Sequence, residues 1–297
     1  MTEHTTVLLH EAVDGLSLHQ GDRAIDATLG AGGHARLMAE RVGKEGAVFA
    51  LDADRESLTE ASERLASEGV VVETAVGNFR DIDLHAAHAG FSAVQGILFD
   101  LGWNAGQLAA GRGFSFNADE PLLMTYGASV GDDGLTAHKV VNTWSEDDIA
   151  EILHELGEER HAGRIARAIV EARAGKPLER ATELRDLIEA AVPGGKRHLR
   201  IHPATKTFQA LRMVVNGELR AVNEALPKAL TLLKPRGRLA VITFHSIEDR
   251  VVKRIFKTFG TEGRATLVTK KPVTPSRSEV ITNRRARSAK LRIIEKI

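Results

Sequence analysis

Short apolar runs that end in an aspartate recur through the first hundred residues of the chain. Three of them are Arg23–Asp26, Ala47–Asp52 and Gln95–Asp100. Short apolar runs bounded by turn residues indicate buried strands. Residues 55–66, between two of the runs, have the periodicity of an amphipathic helix. The alternation of strands and helices predicts an α/β fold with a parallel sheet.

The sheet pattern is interrupted and then resumes. We predict further strands at residues 70–75, 237–244 and within the last apolar stretch, which ends at residue 294. Between them lie three amphipathic helices, with Ser145 capping the first, residues 158–174 forming the second and Thr182 capping the third. The predicted organisation is therefore a first sheet part (1–107), a helical insertion (108–202) and a second sheet part (203–297).

A glycine-rich turn follows the first strand, at Gly30-Ala-Gly-Gly-His-Ala35. Its glycines can take positive φ and bring bare backbone against a ligand, which favours a nucleotide-like ligand. The letters also match the G-x-G-x-x-A dinucleotide pattern. Four positions separate Asp26 from Gly30, whereas a dinucleotide-binding strand runs almost directly into its first glycine. The spacing is similar to the first motif of S-adenosylmethionine-dependent methyltransferases, and a nicotinamide oxidoreductase is the alternative.

Other candidate site residues follow the predicted strands. Asp52 stands where a doubly wound sheet binds a ribose. Asp100-Leu-Gly-Trp103 resembles the motif of amino-methyltransferases, and Trp103 either stacks on a base or packs under the helical insertion. His245 follows the fifth strand and is a candidate for contacting substrate, while Ser246 and Asp249 have the spacing of a capping box.

Composition excludes some classes of protein. The chain has no cysteine, so it can form neither a disulfide nor a thiolate metal site. His4 and His10 have no third ligand nearby, and we predict no metal. No apolar run approaches the ~20 residues of a membrane span and no signal peptide is evident, which predicts a cytoplasmic protein with no membrane partner.

The chain has no net charge, but its C-terminal part is basic. From Lys234 to Ile297 there are 17 Lys and Arg against 5 Asp and Glu, so residues 1–233 carry 23 against 35. Such an imbalance favours a polyanionic partner, although a solvated surface that balances the acidic part is an equal alternative. The candidate RNA-binding residues are Lys196, Arg197, Arg200, Arg250, Arg284, Arg285 and Arg287.

Together these segments resemble the bacterial 16S rRNA (cytosine-N(4))-methyltransferase family, which modifies a cytosine in the decoding centre. The similarity covers nearly the whole chain. Its signatures are residues 4–11, 26–35, 112–116, 202–212, 243–250 and 287–292.

The resemblance implies a Rossmann-like class I S-adenosylmethionine-dependent methyltransferase sheet of about seven strands, with a helical domain inserted after the fourth. It implies S-adenosylmethionine as cofactor and 16S rRNA in the small ribosomal subunit as partner. The residues implied to bind the cofactor are Gly32, Gly33, His34, Asp52, Phe79, Asp100 and Gln107. We assign the catalytic contacts to Asp100, Trp103 and His245.

The chain departs from the family pattern at two places. Trp103-Asn-Ala-Gly106 replaces a small apolar residue, two serines and a proline, and residues 121–127 lack an expected aspartate and arginine. The changed serines motivate a second alternative, a non-catalytic ribosome-assembly factor that retains the fold. The sequence leaves open whether the chain acts as a monomer or as a dimer.

Overall fold

The computed structural model describes residues 5–102, 108, 111–127, 134–193 and 201–297. The chain forms two compact units. The first, which we call the sheet unit, contains Met1–Asn104 and Leu219–Ile297. The second, which we call the helical unit, is Ala105–Glu218.

The sheet unit is built on a seven-stranded sheet with the order β3-β2-β1-β4-β5-β7-β6. The strands are β1 (Arg23–Asp26), β2 (Ala47–Asp52), β3 (Glu73–Val76), β4 (Val94–Asp100), β5 (Leu233–Thr243), β6 (Ala265–Leu267) and β7 (Lys290–Lys296). Strands β1 to β5 are parallel, and β7 runs antiparallel to β5 and β6. This is the class I methyltransferase sheet, so the predicted fold class is confirmed.

Helices cover both faces of this sheet. They are α1 (Leu9–Gly15), α2 (Gly33–Val42), α3 (Arg55–Ser67), α4 (Ile82–His88), α10 (Glu218–Leu232), α11 (Ser246–Thr261) and α12 (Arg277–Thr282). Because successive strand residues point to opposite faces, Ile97 and Phe99 pack in one core cluster while Leu98 packs in the other. Burial on both faces explains why the strands are continuous apolar runs.

The helical unit contains α5 (Ala137–Thr143), α6 (Glu146–Glu155), α7 (Ala162–Gly175), α8 (Ala181–Ala191) and α9 (Ala204–Val215). The unit extends to Glu218, beyond the boundary predicted at 202. The reason is that Phe208 and Leu211 of α9 are buried in the core of this unit. Arg212 also donates two hydrogen bonds to the carboxylate of Glu218, at 2.8 and 2.9 Å.

Several predicted boundaries were wrong. Strand β3 begins at Glu73 rather than at residue 70, and Val71 is 88% exposed. Helix α7 begins at Ala162 rather than at 158, because Glu158 has φ 49° and cannot continue a right-handed helix. Thr182 lies inside α8 and does not cap it.

The cap of α11 also differs from the prediction. His245 is the N-cap, and its side chain accepts from the backbone N–H of Glu248, whose carboxylate accepts from Phe244 at 3.0 Å. Asp249 is therefore free to bind β7, where Arg292 donates to it at 2.7 and 3.1 Å and Lys290 at 3.0 Å. Burial raises the pKa of Asp249, but these hydrogen bonds outweigh burial and hold the pKa below its ordinary value.

None of the helices in the described part of the chain is both long enough and apolar enough to cross a membrane.

We expect Asp249→Asn to lower the free energy of unfolding by about 3 kcal/mol, because it leaves the largely buried Arg292 without its charged partner. Urea unfolding at neutral pH measures the change. Glu262→Gln is the matched control, since it breaks an exposed pair with Arg264 and should cost less than about 0.5 kcal/mol. Equal losses in the two variants would contradict the structural role of Asp249.

Candidate functional site

Three neighbouring parallel strands end in aspartates at the same edge of the sheet. They are β2, β1 and β4, ending at Asp52, Asp26 and Asp100. The order of the strands reverses between β1 and β4, and ligands of doubly wound sheets bind at such a switch point. Asp52 and Asp100 therefore lie at the same edge of the sheet, as predicted.

The glycine-rich turn between β1 and α2 is fixed by backbone contacts to both neighbouring strands. The N–H of Gly30 donates to Asp52 Oδ2 at 2.8 Å, and the N–H of Leu29 donates to the carbonyl of Leu51 at 2.7 Å. On the other side, Thr28 Oγ1 accepts from the N–H of Asp100 at 2.7 Å. The turn is therefore held in place before any ligand arrives.

Glycine is required at several positions of this turn. Gly30 and Gly32 have φ of 50° and 74°, in the left-handed region that side chains disfavour. Gly33 begins α2, where a Cβ atom would overlap the hydroxyl of Thr6. Arg64 of α3 donates to the carbonyl of Ala31. The result is a bare backbone loop at a helix N-terminus, which suits a nucleotide-like ligand.

Asp52 lies at the candidate site, and its side chain also holds the glycine-rich turn in place. Its side chain is buried and accepts from the backbone N–H groups of Gly30 and Asp54, at 2.8 and 2.9 Å. Burial is the largest influence and raises the pKa of Asp52 above its ordinary value, although these N–H groups lower it. Its role in ribose binding remains a prediction.

Asp26 is a site residue that the sequence reasoning did not select. It is fully buried, and its Oδ1 accepts from the N–H of Thr28 at 3.1 Å. Its Oδ2 has no hydrogen bond of good geometry in the described part of the chain, although the N–H of Ala35 is close enough to lower the pKa of the carboxyl group. Burial, together with the charges of Asp100 and Asp52, raises its pKa well above the ordinary value. The signal was present in the sequence, where Asp26 is the last residue of the first apolar run.

Asp100 combines partial exposure with an unsatisfied acceptor. Its side chain is 25% exposed, and its Oδ1 lacks a hydrogen-bond partner among the described residues. Burial raises the pKa of Asp100 to about 7, with Arg285 lowering it and Glu248 raising it. A carboxyl group with this pKa can exchange a proton near neutral pH.

His34 lies behind Asp100 in the first turn of α2. It is 3% exposed, with Nδ1 3.9 Å from Asp100 Oδ2 and Nε2 3.2 Å from the carbonyl of Val7. His34 therefore lies close to the edge of the sheet where the aspartates meet, with Asp100 as its neighbour. Direct contact between His34 and the cofactor remains a prediction.

His245 and Glu248 follow the carboxyl end of β5, the strand beside β4. His245 Nε2 lies 3.0 Å from Glu248 Oε1. Glu248 is 2% exposed, and its charge raises the pKa of Asp100. Sequence reasoning missed Glu248, because histidine is an unusual helix cap and the Ser246 and Asp249 pair has the commoner spacing. Contact between His245 and substrate stays a prediction.

The remaining predicted residues fall into three groups. Phe79 lies in the turn after β3 with its ring edge-on to Phe99, 5.5 Å between centroids. Of the predicted RNA-binding residues, Arg250, Arg284 and Arg287 are exposed and Arg285 is partly buried. The predicted residues outside the described part of the chain are Trp103, Gln107, Lys196, Arg197 and Arg200.

The site can bind a cation and accept a hydrogen bond. Asp26, Asp52 and Asp100 concentrate negative charge where burial disfavours it, and two of the three offer an oxygen without a described partner. A positively charged ligand would relieve this cost. S-adenosylmethionine has a sulfonium, an ammonium and a ribose, so the glycine loop and the aspartates fit it.

We expect Asp100→Asn to change how stability depends on pH. Because folding raises the pKa of Asp100 from 3.8 to about 7, folded protein binds more protons than unfolded protein between these values. The stability of the native protein should therefore fall, relative to the variant, by on the order of 2 kcal/mol between pH 5 and pH 8. Urea unfolding at both pH values, with exposed Glu63→Gln as control, measures this. A difference independent of pH would refute the perturbed pKa.

Comparison with known proteins shows the family of the chain. The model of the MraW methylase family matches residues 1–297. The Ribosomal RNA small subunit methyltransferase H of Brevibacillus brevis is 42% identical, over 99% of this chain and 98% of its own. That of Syntrophotalea carbinolica is 44% identical with the same coverage. An rRNA methylase structure from Streptococcus thermophilus is 15% identical, covers 99% of each chain and has a TM-score of 0.47. With the family model spanning every residue, the chain belongs to the MraW methylase family.

Proposed function

We propose that this methyltransferase transfers the methyl group of S-adenosylmethionine to the exocyclic N(4) amine of a cytosine in the decoding centre, the P site, of 16S rRNA. The names of the relatives support a small-subunit rRNA substrate. The proposal depends most on the state of Asp100, which lies beside the glycine loop. Its pKa is about 7, and its Oδ1 has no hydrogen-bond partner among the described residues. Its motif, Asp100-Leu-Gly-Trp103, resembles that of enzymes acting on exocyclic amines.

The cofactor, when bound, supplies an electrophilic methyl group on a positively charged sulfur. The residues that would hold it are Gly32, Gly33, His34, Asp52, Phe79, Asp100 and Gln107. Asp52 is the proposed partner of the ribose hydroxyls, and it already fixes the loop through Gly30. Burial raises the pKa of all three aspartates, and a cationic ligand would stabilise their ionised forms, so such a ligand is favoured over a neutral one.

Asp100 has the properties that the cytosine amine requires. The amine is a weak nucleophile because its lone pair is delocalised into the ring, so its nitrogen becomes positive as the new bond forms. A carboxylate that accepts a hydrogen bond from that N–H stabilises the developing charge. With a pKa near 7, Asp100 can then take up the proton that the nitrogen releases.

The cytosine must leave its base stack to reach this edge, at a cost of a few kcal/mol that an aromatic face can offset. We assign this role to Trp103, and a substrate contact to His245. Glu248 already fixes the position of His245, so His245 would not have to move to contact the substrate.

Exposed cations on the sheet unit are suited to the RNA backbone. They are Arg250, Lys253, Arg254 and Lys257 on α11, and Arg284 and Arg287 near the end of the chain. The α11 residues recur at spacings of three and four, so they share one face of the helix. Lys196, Arg197 and Arg200 are proposed to add to them. Arg285 differs, since its charge acts on Asp100.

The proposal is tested with purified protein, small ribosomal subunits from cells lacking this protein, and S-adenosylmethionine. Digestion of the rRNA to nucleosides and mass spectrometry should reveal N(4)-methylcytidine. A methyl group on another nucleoside would refute the cytosine amine as acceptor. Binding to the subunit with no methylated product would favour the assembly factor, and calorimetric binding of NAD instead of S-adenosylmethionine would favour the oxidoreductase. An rRNA substrate would place the protein in the cytoplasm.

We expect Asp52→Ala to weaken S-adenosylmethionine binding by roughly 2 kcal/mol, the scale of a pair of charge-assisted hydrogen bonds. Isothermal titration calorimetry measures the affinity, and exposed Glu73→Ala on β3 should leave it unchanged. If both variants bind as the native protein does, Asp52 does not hold the cofactor.

We expect the double variant Arg284→Gln and Arg287→Gln to lower the slope of log RNA affinity against log salt by about 1.4 to 1.8, or ~0.7 to 0.9 for each phosphate that an arginine no longer neutralises. Filter binding at several salt concentrations measures the slope. Lys44→Gln with Arg55→Gln removes the same charge from exposed positions elsewhere on the sheet unit. Identical slopes for the two double variants would show that the arginines face only solvent.

A further inference from the structure

The helical unit contains a cavity of about 280 Å³. It is formed by residues 159–161 before α7, by Val192 and Pro193 after α8, and by residues 201–203 and Lys206 at the start of α9. This volume lies just below the roughly 300 to 1,000 Å³ of pockets for drug-sized ligands, so the cavity can take one small group such as a single base. Nothing in the predicted catalytic set accounts for it.

Cations and apolar side chains line this cavity together. Arg160 is exposed and forms no ion pair within the described residues. Lys206 lies on α9, and its Nζ donates to the carbonyl of Glu158 at 2.6 Å, which keeps its charge at the cavity. Val192, Pro193 and Pro203 supply apolar surface. A base needs an apolar face and a phosphate needs a cation, so the lining offers both parts of a nucleotide site.

The polar groups at the cavity are held in fixed positions. The ring of His202 stacks on Phe116 with 4.5 Å between centroids, and its Nε2 lies 2.8 Å from Glu189 Oε1. Its Nδ1 accepts from the N–H of Ala204 at 3.2 Å. Glu159 is buried, and its Oε1 accepts from the N–H of His161 at 2.8 Å. Glu189 thus has His202 as its partner and Glu159 accepts a backbone N–H, while Arg160 and Lys206 are the two lining cations that can face an anion.

We infer that this cavity binds one unpaired nucleotide of the RNA substrate, with its phosphate at Arg160 and Lys206 and its base against the apolar wall. The inference rests on the proposed function for the identity of the RNA. An unpaired nucleotide is required because the bases of an A-form duplex are paired and stacked, so that no whole base can enter such a pocket. The site would therefore select RNA that presents a single-stranded segment in addition to the target cytosine.

Photo-cross-linking tests the location of the nucleotide. The full chain is irradiated with a 16S rRNA transcript that contains 4-thiouridine, and the cross-linked peptides are mapped by mass spectrometry. We expect an adduct on the peptides that carry residues 159–161 or 201–206. Adducts confined to the sheet unit would overturn the inference.

Substitution tests the charge. Arg160→Gln should lower the slope of log affinity against log salt by about 0.7 for a single-stranded oligoribonucleotide, and should weaken binding severalfold at physiological salt. Arg167→Gln is the control, since Arg167 is an exposed arginine of the same unit that pairs with Glu146. A duplex of the same sequence should not distinguish the two variants. Arg160→Gln and Arg167→Gln variants with equal slopes on the single strand would contradict the proposed site.

The two proposals can fail separately. If rRNA is methylated at cytosine but the adduct and the slope change are absent, the cavity has no role in binding and the proposed function stands. If the adduct and the slope change appear while no methylcytidine forms, the cavity binds RNA and the proposed function fails.

Discussion

The structure depends on the crowding of carboxylates at one edge of the sheet. Three adjacent strands end in aspartates, and because the strands are parallel, their carboxyl ends bring these side chains to the same edge of the sheet. Burial raises the pKa of all three, and for Asp26 the charges of the other two add to the effect. Such an arrangement costs stability in the protein alone, and a cationic ligand would relieve that cost.

The rest of the sheet unit is arranged around that edge. The N–H of Gly30 donates to Asp52, the N–H of Thr28 donates to Asp26, and the hydroxyl of Thr28 accepts from the N–H of Asp100, so one short loop connects all three strand ends. The end of the chain returns to the same place. Strand β7 pairs with β5, and Asp249 binds Arg292 of β7, while Arg285 just before β7 acts on the charge of Asp100. The basic C-terminal segment thus lowers the pKa of Asp100 through Arg285 and also carries the exposed cations that we propose bind RNA.

Much of this arrangement could be predicted from the sequence, because buried parallel strands are continuous apolar runs and an aspartate at a strand end is visible without a structure. The first two strands and their terminal aspartates were predicted correctly for this reason. Positions that depend on tertiary contacts were not. Glu248 acts through the cap of α11 and its charge on Asp100, and the helical unit extends to 218 because Arg212 pairs with Glu218. The sequence predicts that Asp26 ends a strand. It does not predict that Oδ2 of Asp26 lacks a hydrogen bond of good geometry, because the possible partners come from other parts of the fold.

The most direct measurement is a crystal structure of the protein with S-adenosylmethionine. We predict that the cofactor lies along residues 30–33, with its ribose hydroxyls within hydrogen-bond distance of Asp52 and its methyl group directed to the space in front of Asp100. Density for the cofactor at another edge of the sheet, or a methyl group directed away from Asp100, would contradict the claim that the three aspartates form the methyl-transfer site.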